Sequence, residues 1–165
     1  MFIRVKTISG KKYAYLVENT WKNGKTKQRV KKYLGALYKP EKLQEMSFTQ
    51  WKNVELESYM NNTPLKKIIR DLVQHCLWLH GFLGKPPARD GFSVDLMKGN
   101  VLKRKAAVIQ MHDGYLSTDT FRALFKFKPV EEETRGEKLA EALVKAGLKV
   151  EKDVFILLYR KIYNI

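Results

Sequence analysis

Lys25, Lys27, Arg29 and Lys31 alternate with other residues. In an extended strand that spacing sends all four side chains from one face, about 6–7 Å apart. Phosphates repeat along a nucleic-acid strand on a similar scale, so the chemistry open to this row is neutralisation of a polyanion. Like charges fixed on one face repel, and a counter-charge relieves them. Arg4, Lys6 and Lys32 widen the row, while Tyr13, Tyr15 and Tyr33 fall on the same expected face. An exposed ring there can stack on an unpaired base for about 1–3 kcal/mol. Lys103, Arg104 and Lys105 could extend the footprint, although three consecutive charges are most often a solvated loop.

Other reactive constellations are thinner. Asp90, Asp95 and Lys98 lie near expected strands and have the residue types of a metal-dependent nuclease. The carboxylate-x-Lys strand such a site needs next is missing, since residues 106–111 read Ala-Ala-Val-Ile-Gln-Met. His75 and His80 sit five residues apart, on different faces of a helix, and His112 is remote in sequence. With Cys76 the sole cysteine, no zinc site and no internal disulfide is expected. No phosphate-binding loop, dinucleotide fingerprint or nucleophile elbow occurs. The expectation is a protein without catalytic residues, metal or cofactor.

The charge is unevenly spread. The first 39 residues hold eleven of the 32 Lys and Arg against one acid, Glu18, so this stretch carries +10 of the net +15. Such an excess favours nucleic acid or an anionic membrane surface. The membrane reading calls for a basic amphipathic helix, and the basic block here reads as strand. Apolar runs never approach a bilayer span. The opening residues lack a secretory signal, so a cytoplasmic protein, nucleoid- or ribosome-associated, is expected. Abundant Lys and Glu with a single Cys fit a thermophile's composition.

The elements that must position these residues follow from periodicity. Residues 2–8, 13–18 and 25–34 read as a three-stranded meander with turns at Ser9-Gly10-Lys11-Lys12 and Asn23-Gly24. Strict alternation gives an aliphatic face of Ile3, Val5, Ala14, Leu16, Val30 and Leu34. The opposite face collects Arg4, Lys6, Tyr13, Tyr15, Lys27, Arg29, Lys31 and Tyr33, and Gly35 breaks the last strand. Ser47-Phe48-Thr49-Gln50 has the form of a capping box for a helix through Trp51, Val54, Leu56 and Tyr59. Thr63 as N-cap and Pro64 as first helical residue open a central helix of Leu65, Ile68, Ile69, Leu72, Val73, Cys76, Leu77 and Leu79.

After the connector Gly84-Lys85-Pro86-Pro87, residues 92–111 read as a second small sheet with a turn at Lys98-Gly99-Asn100. Ser117 opens one helix, a Thr134 to Glu137 capping box a second, and Asp153 to Tyr163 a third. The pair from Asp113 to Arg122 and from Thr134 to Gly147 invites a helix-turn-helix reading. The mixed charge of Glu137, Lys138, Glu141 and Lys145, after the acidic run Glu131-Glu132-Glu133, favours a packing role instead. The fold expected is α+β: an N-terminal three-stranded antiparallel sheet packed on helices, a second small sheet, and a C-terminal helical region. The divisions are a basic meander over 1–39, a helical region over 40–84 and a sheet with three helices over 85–165, compatible with one compact unit.

The order Tyr13-Ala14-Tyr15-Leu16-Val17-Glu18, Asn23-Gly24-Lys25, Gln28-Arg29-Val30 and Lys31-Lys32-Tyr33-Leu34-Gly35 resembles the opening segment of certain insertion-sequence transposases. It is also similar to the start of small uncharacterised archaeal proteins. The resemblance spans roughly 25 of 165 residues and ends at Gly35, with no acidic triad beyond it. It implies that Lys25, Lys27, Arg29, Lys31 and Lys32 help to hold DNA, and it implies no transposase chemistry. Together these readings give a non-enzymatic nucleic-acid-binding protein that prefers DNA because of the hairpin. The alternatives are an RNA-binding or ribosome-associated factor, a nuclease centred on Asp90 and Asp95, and a module for an acidic protein partner. The helical region could also present a protein-partner surface.

Overall fold

Alternating residues and paired turn residues make the opening meander. A computed structural model describes residues 1–131 and 134–165. Strands β1 (Phe2–Ile8), β2 (Lys11–Lys22) and β3 (Lys25–Tyr38) form consecutive antiparallel pairs. Asn23 and Gly24 between β2 and β3 have φ of 53° and 70°. Positive φ at both central residues is what the two-residue turn matching strand twist requires.

Strict alternation fails in β3. Tyr15 pairs with Tyr33 and Ala14 with Gly35, skipping Leu34; Leu16 pairs with Lys32 and Val17 with Val30, skipping Lys31. Each skipped residue is a β-bulge, and each bulge resets which face the following residues occupy. Below Lys31, therefore, Arg29, Lys27 and Lys25 lie opposite Glu18, Thr20 and Lys22 on the Leu16 side. Val30, Gln28 and Thr26 lie on the Tyr15 side, opposite Val17, Asn19 and Trp21. The expected grouping of Lys27 and Arg29 with the tyrosines is thus overturned. Val30, expected inside, is exposed.

Gly35 does not end β3. The strand continues, and Ala36, Leu37 and Tyr38 pair in parallel with Ala107, Val108 and Ile109 of β7 (Lys105–Met111). Gly35 adopts φ 114° where the two backbones converge, and a Cβ there would collide with the Ala106 carbonyl. A glycine read as a strand breaker is instead the point that admits a neighbouring strand. Strands β4 (Ala88–Arg89), β5 (Phe92–Asp95) and β6 (Asn100–Lys103) complete the second small sheet against β7. Strand β8 (Gly114–Leu116) pairs with the other end of β7.

The helices are α1 (Phe48–Lys52), α2 (Leu56–Asn62), α3 (Leu65–Leu79), α4 (Thr118–Phe125), α5 (Arg135–Lys145) and α6 (Lys152–Tyr163). The Ser47 capping box forms as its residues dictate. The single helix expected beyond it is two, because Asn53 turns left-handed (φ 56°) and the Glu55 carboxylate caps the amides of Glu57 and Ser58. Pro64, not Thr63, precedes the first helical residue of α3. Thr134 makes no side-chain cap, so the box expected at α5 is absent. Of the acidic run ahead of α5, Glu132 and Glu133 lie outside the described residues.

Helix α3 is the axis of the core. Ile68, Ile69, Leu72, Val73, Cys76, Leu77 and Leu79 are all buried, joined by inward residues of the second sheet and of α4, α5 and α6. A smaller cluster of Ala14, Leu34, Leu37 and Val108 sits under the N-terminal sheet. Glu151, which precedes α6, leaves its own helix uncapped and accepts from the Phe48 amide at 3.1 and 3.2 Å. This contact ties the C-terminal region to α1. The architecture is α+β, as the sequence pattern indicates. Among the described residues no helix is long and apolar enough to cross a membrane.

Candidate nucleic-acid interface

Strand β1 accompanies β2 only as far as Val17, where Phe2 is its partner. Beyond that point β2 and β3 continue alone as a two-stranded ribbon. Every residue from Asn19 to Tyr33 is exposed. One face carries Lys22, Lys25, Lys27 and Arg29, with the Lys22–Lys25 pair directly across from each other; the other carries Asn19, Trp21, Thr26 and Gln28. Like charges directly opposed across a sheet are destabilising. None of these four cations forms an ion pair with a carboxylate of the described residues.

Two other residues of the expected row are already neutralised. The Lys31 ammonium lies 2.8 Å from Glu18, and Lys32, on the inner side opposite Leu16, donates to both oxygens of Asp119 on α4 at 3.0 and 2.8 Å. Arg4 donates to Gln28, and Gln28 in turn to Asn19, which links β1 to the ribbon root. Lys6 stands 5.1 Å above the Tyr15 ring. Tyr33 packs against both Tyr13 and Tyr15, with ring centroids 6.3 and 5.2 Å apart. Of the three, only Tyr33 is exposed. Desolvation, reinforced by the two neighbouring phenols, holds its hydroxyl above the ordinary tyrosine range.

Lys103 and Lys105 pair across the tight β6–β7 turn, with Arg104 at its tip in a left-handed conformation. The parallel pairing of β3 with β7 makes this tip point the same way as the ribbon. Arg104 stands three residues before Ala107, about 10 Å, whereas the ribbon turn stands roughly 35 Å beyond Ala36. The short basic tip therefore lies beside the ribbon's root near Tyr33. Lys103 is partly engaged over the Phe92 ring at 4.8 Å. Between the two hairpins runs a cleft of about 320 Å³ with Lys32, Tyr33, Asp119 and Arg122 on its walls. Arg122, which periodicity did not single out, donates to Asn100 Oδ1 at 2.7 Å and to the Lys98 carbonyl at 3.3 Å.

The carboxylates considered for nuclease chemistry have other occupations. Asp90 accepts from the Tyr38 hydroxyl at 2.6 Å, and Asp95 Oδ1 accepts the Met97 and Lys98 amides, both at 3.0 Å, in the turn after β5. Among the described residues no three His, Cys, Asp or Glu side chains converge on a metal position.

The histidine pair in contact is His80 with His112, edge to face at 5.1 Å, and not His75 with His80. His80 Nδ1 must carry the proton, because it bonds the Cys76 carbonyl at 2.7 Å. His75 instead bonds the Met46 carbonyl at 2.9 Å beside Trp51 and Phe48. Cys76 is buried in the core, and that burial pushes its thiol up to about 12. Asp71 is a buried charge missed by the pattern. It accepts from the Tyr59 hydroxyl at 2.6 Å and from Lys52 and Lys67, both at 3.0 Å. Burial alone would raise its carboxyl; these donors outweigh burial and hold it below the carboxylate range.

Compared with known proteins, the chain matches no family model, no curated protein and no solved structure.

Proposed function

We propose that this protein binds nucleic acid without transforming it, and that duplex DNA is its preferred form, held by the β2–β3 ribbon. The observation that carries the reading is the ribbon's double exposure with a one-sided row of Lys22, Lys25, Lys27 and Arg29 lacking described carboxylate partners. A B-form major groove, about 12 Å wide, admits a two-stranded ribbon. In that pose the long cationic side chains reach phosphates along the groove and release counterions. The short tip at Lys103, Arg104 and Lys105 would meet the backbone near the ribbon's root. Exposed Trp21 and Tyr33 favour a second reading, an unpaired RNA strand whose bases stack on those rings.

Anisotropy titrations of the whole protein with duplex DNA, single strands and structured RNA, across a salt series, test this. Changing Lys25, Lys27 and Arg29 together to Glu should weaken binding at least tenfold and flatten the log–log salt slope by about three. Unchanged affinity would overturn the ribbon assignment. Preference for single strands would select the RNA reading, and an acidic protein that binds without competition from nucleic acid would replace both.

A further inference from the structure

Away from the ribbon, α3 and the β5–β6 hairpin enclose a half-open cavity of about 640 Å³. Lys67, Arg70 and Gln74, at helical spacing on one face of α3, line one side. Leu96, Met97 and Leu102 line the other, and Lys85-Pro86 closes an end. This is the size and mixed lining of a small-ligand site.

The group that points to a ligand is Arg70. Its Nε is buried with no hydrogen-bond acceptor among the described residues. Among the described residues its Nη1 meets only the Met97 thioether at 2.9 Å, a weak acceptor. No carboxylate of the described residues pairs with it. The side chain is half-buried, and an oxyanion in the cavity would give its terminal Nη donors the charged acceptor they lack.

The acids in the wall do not supply that anion. Asp71 is already shared by Lys52, Lys67 and the Tyr59 hydroxyl, so two ammonium groups stand on one carboxylate and leave positive charge at the cavity edge. Asp95 Oδ1 is engaged by the amides of its own turn. Lys85 forms no ion pair with a described carboxylate. Opposite these charges the Leu96, Met97 and Leu102 wall offers an apolar platform, with Gln74 and Ser93 as polar readers.

We propose that this cavity binds a phosphomonoester carrying a flat aromatic base: the phosphoryl oxygens dock on Arg70 with Lys67 and Lys85, and the base lies against Met97. A free mononucleotide and the 5′-phosphorylated end of a strand present the same chemistry. Calorimetric titration of the full chain with AMP, adenosine and inorganic phosphate tests the site. Paired oligonucleotides with a 5′-phosphate or a 5′-hydroxyl then distinguish the source.

AMP should bind at least tenfold more tightly than adenosine and more tightly than inorganic phosphate. R70Q should weaken it at least tenfold, with R70K intermediate. Lys85→Gln, on a connector outside the helix, should weaken it several-fold and keeps the test valid if the Arg70 variants melt early. A gain from the 5′-phosphate on oligonucleotides assigns strand ends, and binding of AMP alone assigns the free nucleotide. Equal affinity for adenosine and AMP, or affinity indifferent to both Arg70 and Lys85, overturns the proposal.

Discussion

The β2–β3 ribbon and helix α3 both carry a regular pattern, and the two patterns are held in place by opposite means. In α3 the period of 3.6 residues is anchored by burial, since each apolar position meets the sheet or another helix. In the ribbon the period of two is anchored by backbone pairing and a few exposed side-chain hydrogen bonds, with water on both faces. A change of register in α3 would expose its whole apolar stripe. In the ribbon, a bulge at Lys31 exchanges the cations with Val30 and Gln28 and exposes nothing new. Regular spacing therefore locates side chains reliably only where a core enforces it, and a region free of core constraints can keep charges that repel one another.

The largest effect that would test this contrast is a cavity in α3 set against a truncation in the ribbon. Ile69→Ala removes a buried side chain and should cost about 2–4 kcal/mol in chemical denaturation. Trp21→Ala, at 74% exposure, should stay within about 0.5 kcal/mol of the parent. Leu16, half-buried at the ribbon's root, should fall between the two. A Trp21 penalty above about 1 kcal/mol would mean that the ribbon packs on the body in solution, and the contrast would fail.

The same contrast explains what the sequence could disclose. Local signals read well: the apolar stripe of α3, the Ser47 and Ser117 caps and the Asn23-Gly24 turn each depend on residues within one or two turns of chain. The Leu34 bulge has Gly35 beside it, but the bulge at Lys31 has no glycine to mark it. Without such a mark strict alternation carries Arg29 and Lys27 to the wrong face. Gly35 signals a backbone irregularity, but only the approach of Ala106, 71 positions later, shows that it serves pairing and not termination. Within the Asp71 network only Lys67 follows a spacing rule, four residues back on the same helix; the Lys52 and Tyr59 partners, like the His80–His112 contact, join residues on different elements. Of the proposed interface, the cations were legible as types; their neutralisation at Lys31 and Lys32 was not.

A smaller, pH-dependent effect should act on the body and not on the ribbon. Burial first, then repulsion between the charged forms of His112 and His80 and from Lys42 and Lys149, depresses the His112 imidazole to about 4, with Asp113 opposing. His75 and His80 are also depressed, mainly by burial. Between pH 6.5 and 4 the unfolded chain takes up the His112 proton and the folded chain does not. Stability is therefore fully present above 6.5 and falls as the pH drops through this window, by up to about 3 kcal/mol from His112. Denaturation at pH 7, 5.5 and 4 should trace the loss. His112→Asn, which tolerates the left-handed backbone at φ 47°, should remove much of the slope. An unchanged slope would assign the acid sensitivity to other groups.

The smallest effect on stability is the most informative about how ribbon and body work together. Lys32 and Asp119 join the root of β3 to the start of α4, and their side chains are 56% and 48% exposed. An ion pair so placed contributes about 0–1 kcal/mol and weakens with salt. A double-mutant cycle with Lys32→Met and Asp119→Asn should return a coupling in that range. Binding should respond in the opposite sense. Asp119 neutralises a cation on the wall of the cleft between the two basic hairpins. Replacing it with Asn frees that cation for phosphate, so DNA affinity should rise several-fold and the salt slope should steepen by about one. Were the slope unchanged, bound phosphates would not reach the cleft, and the interface would be confined to the free end of the ribbon, with Asp119 serving the fold alone.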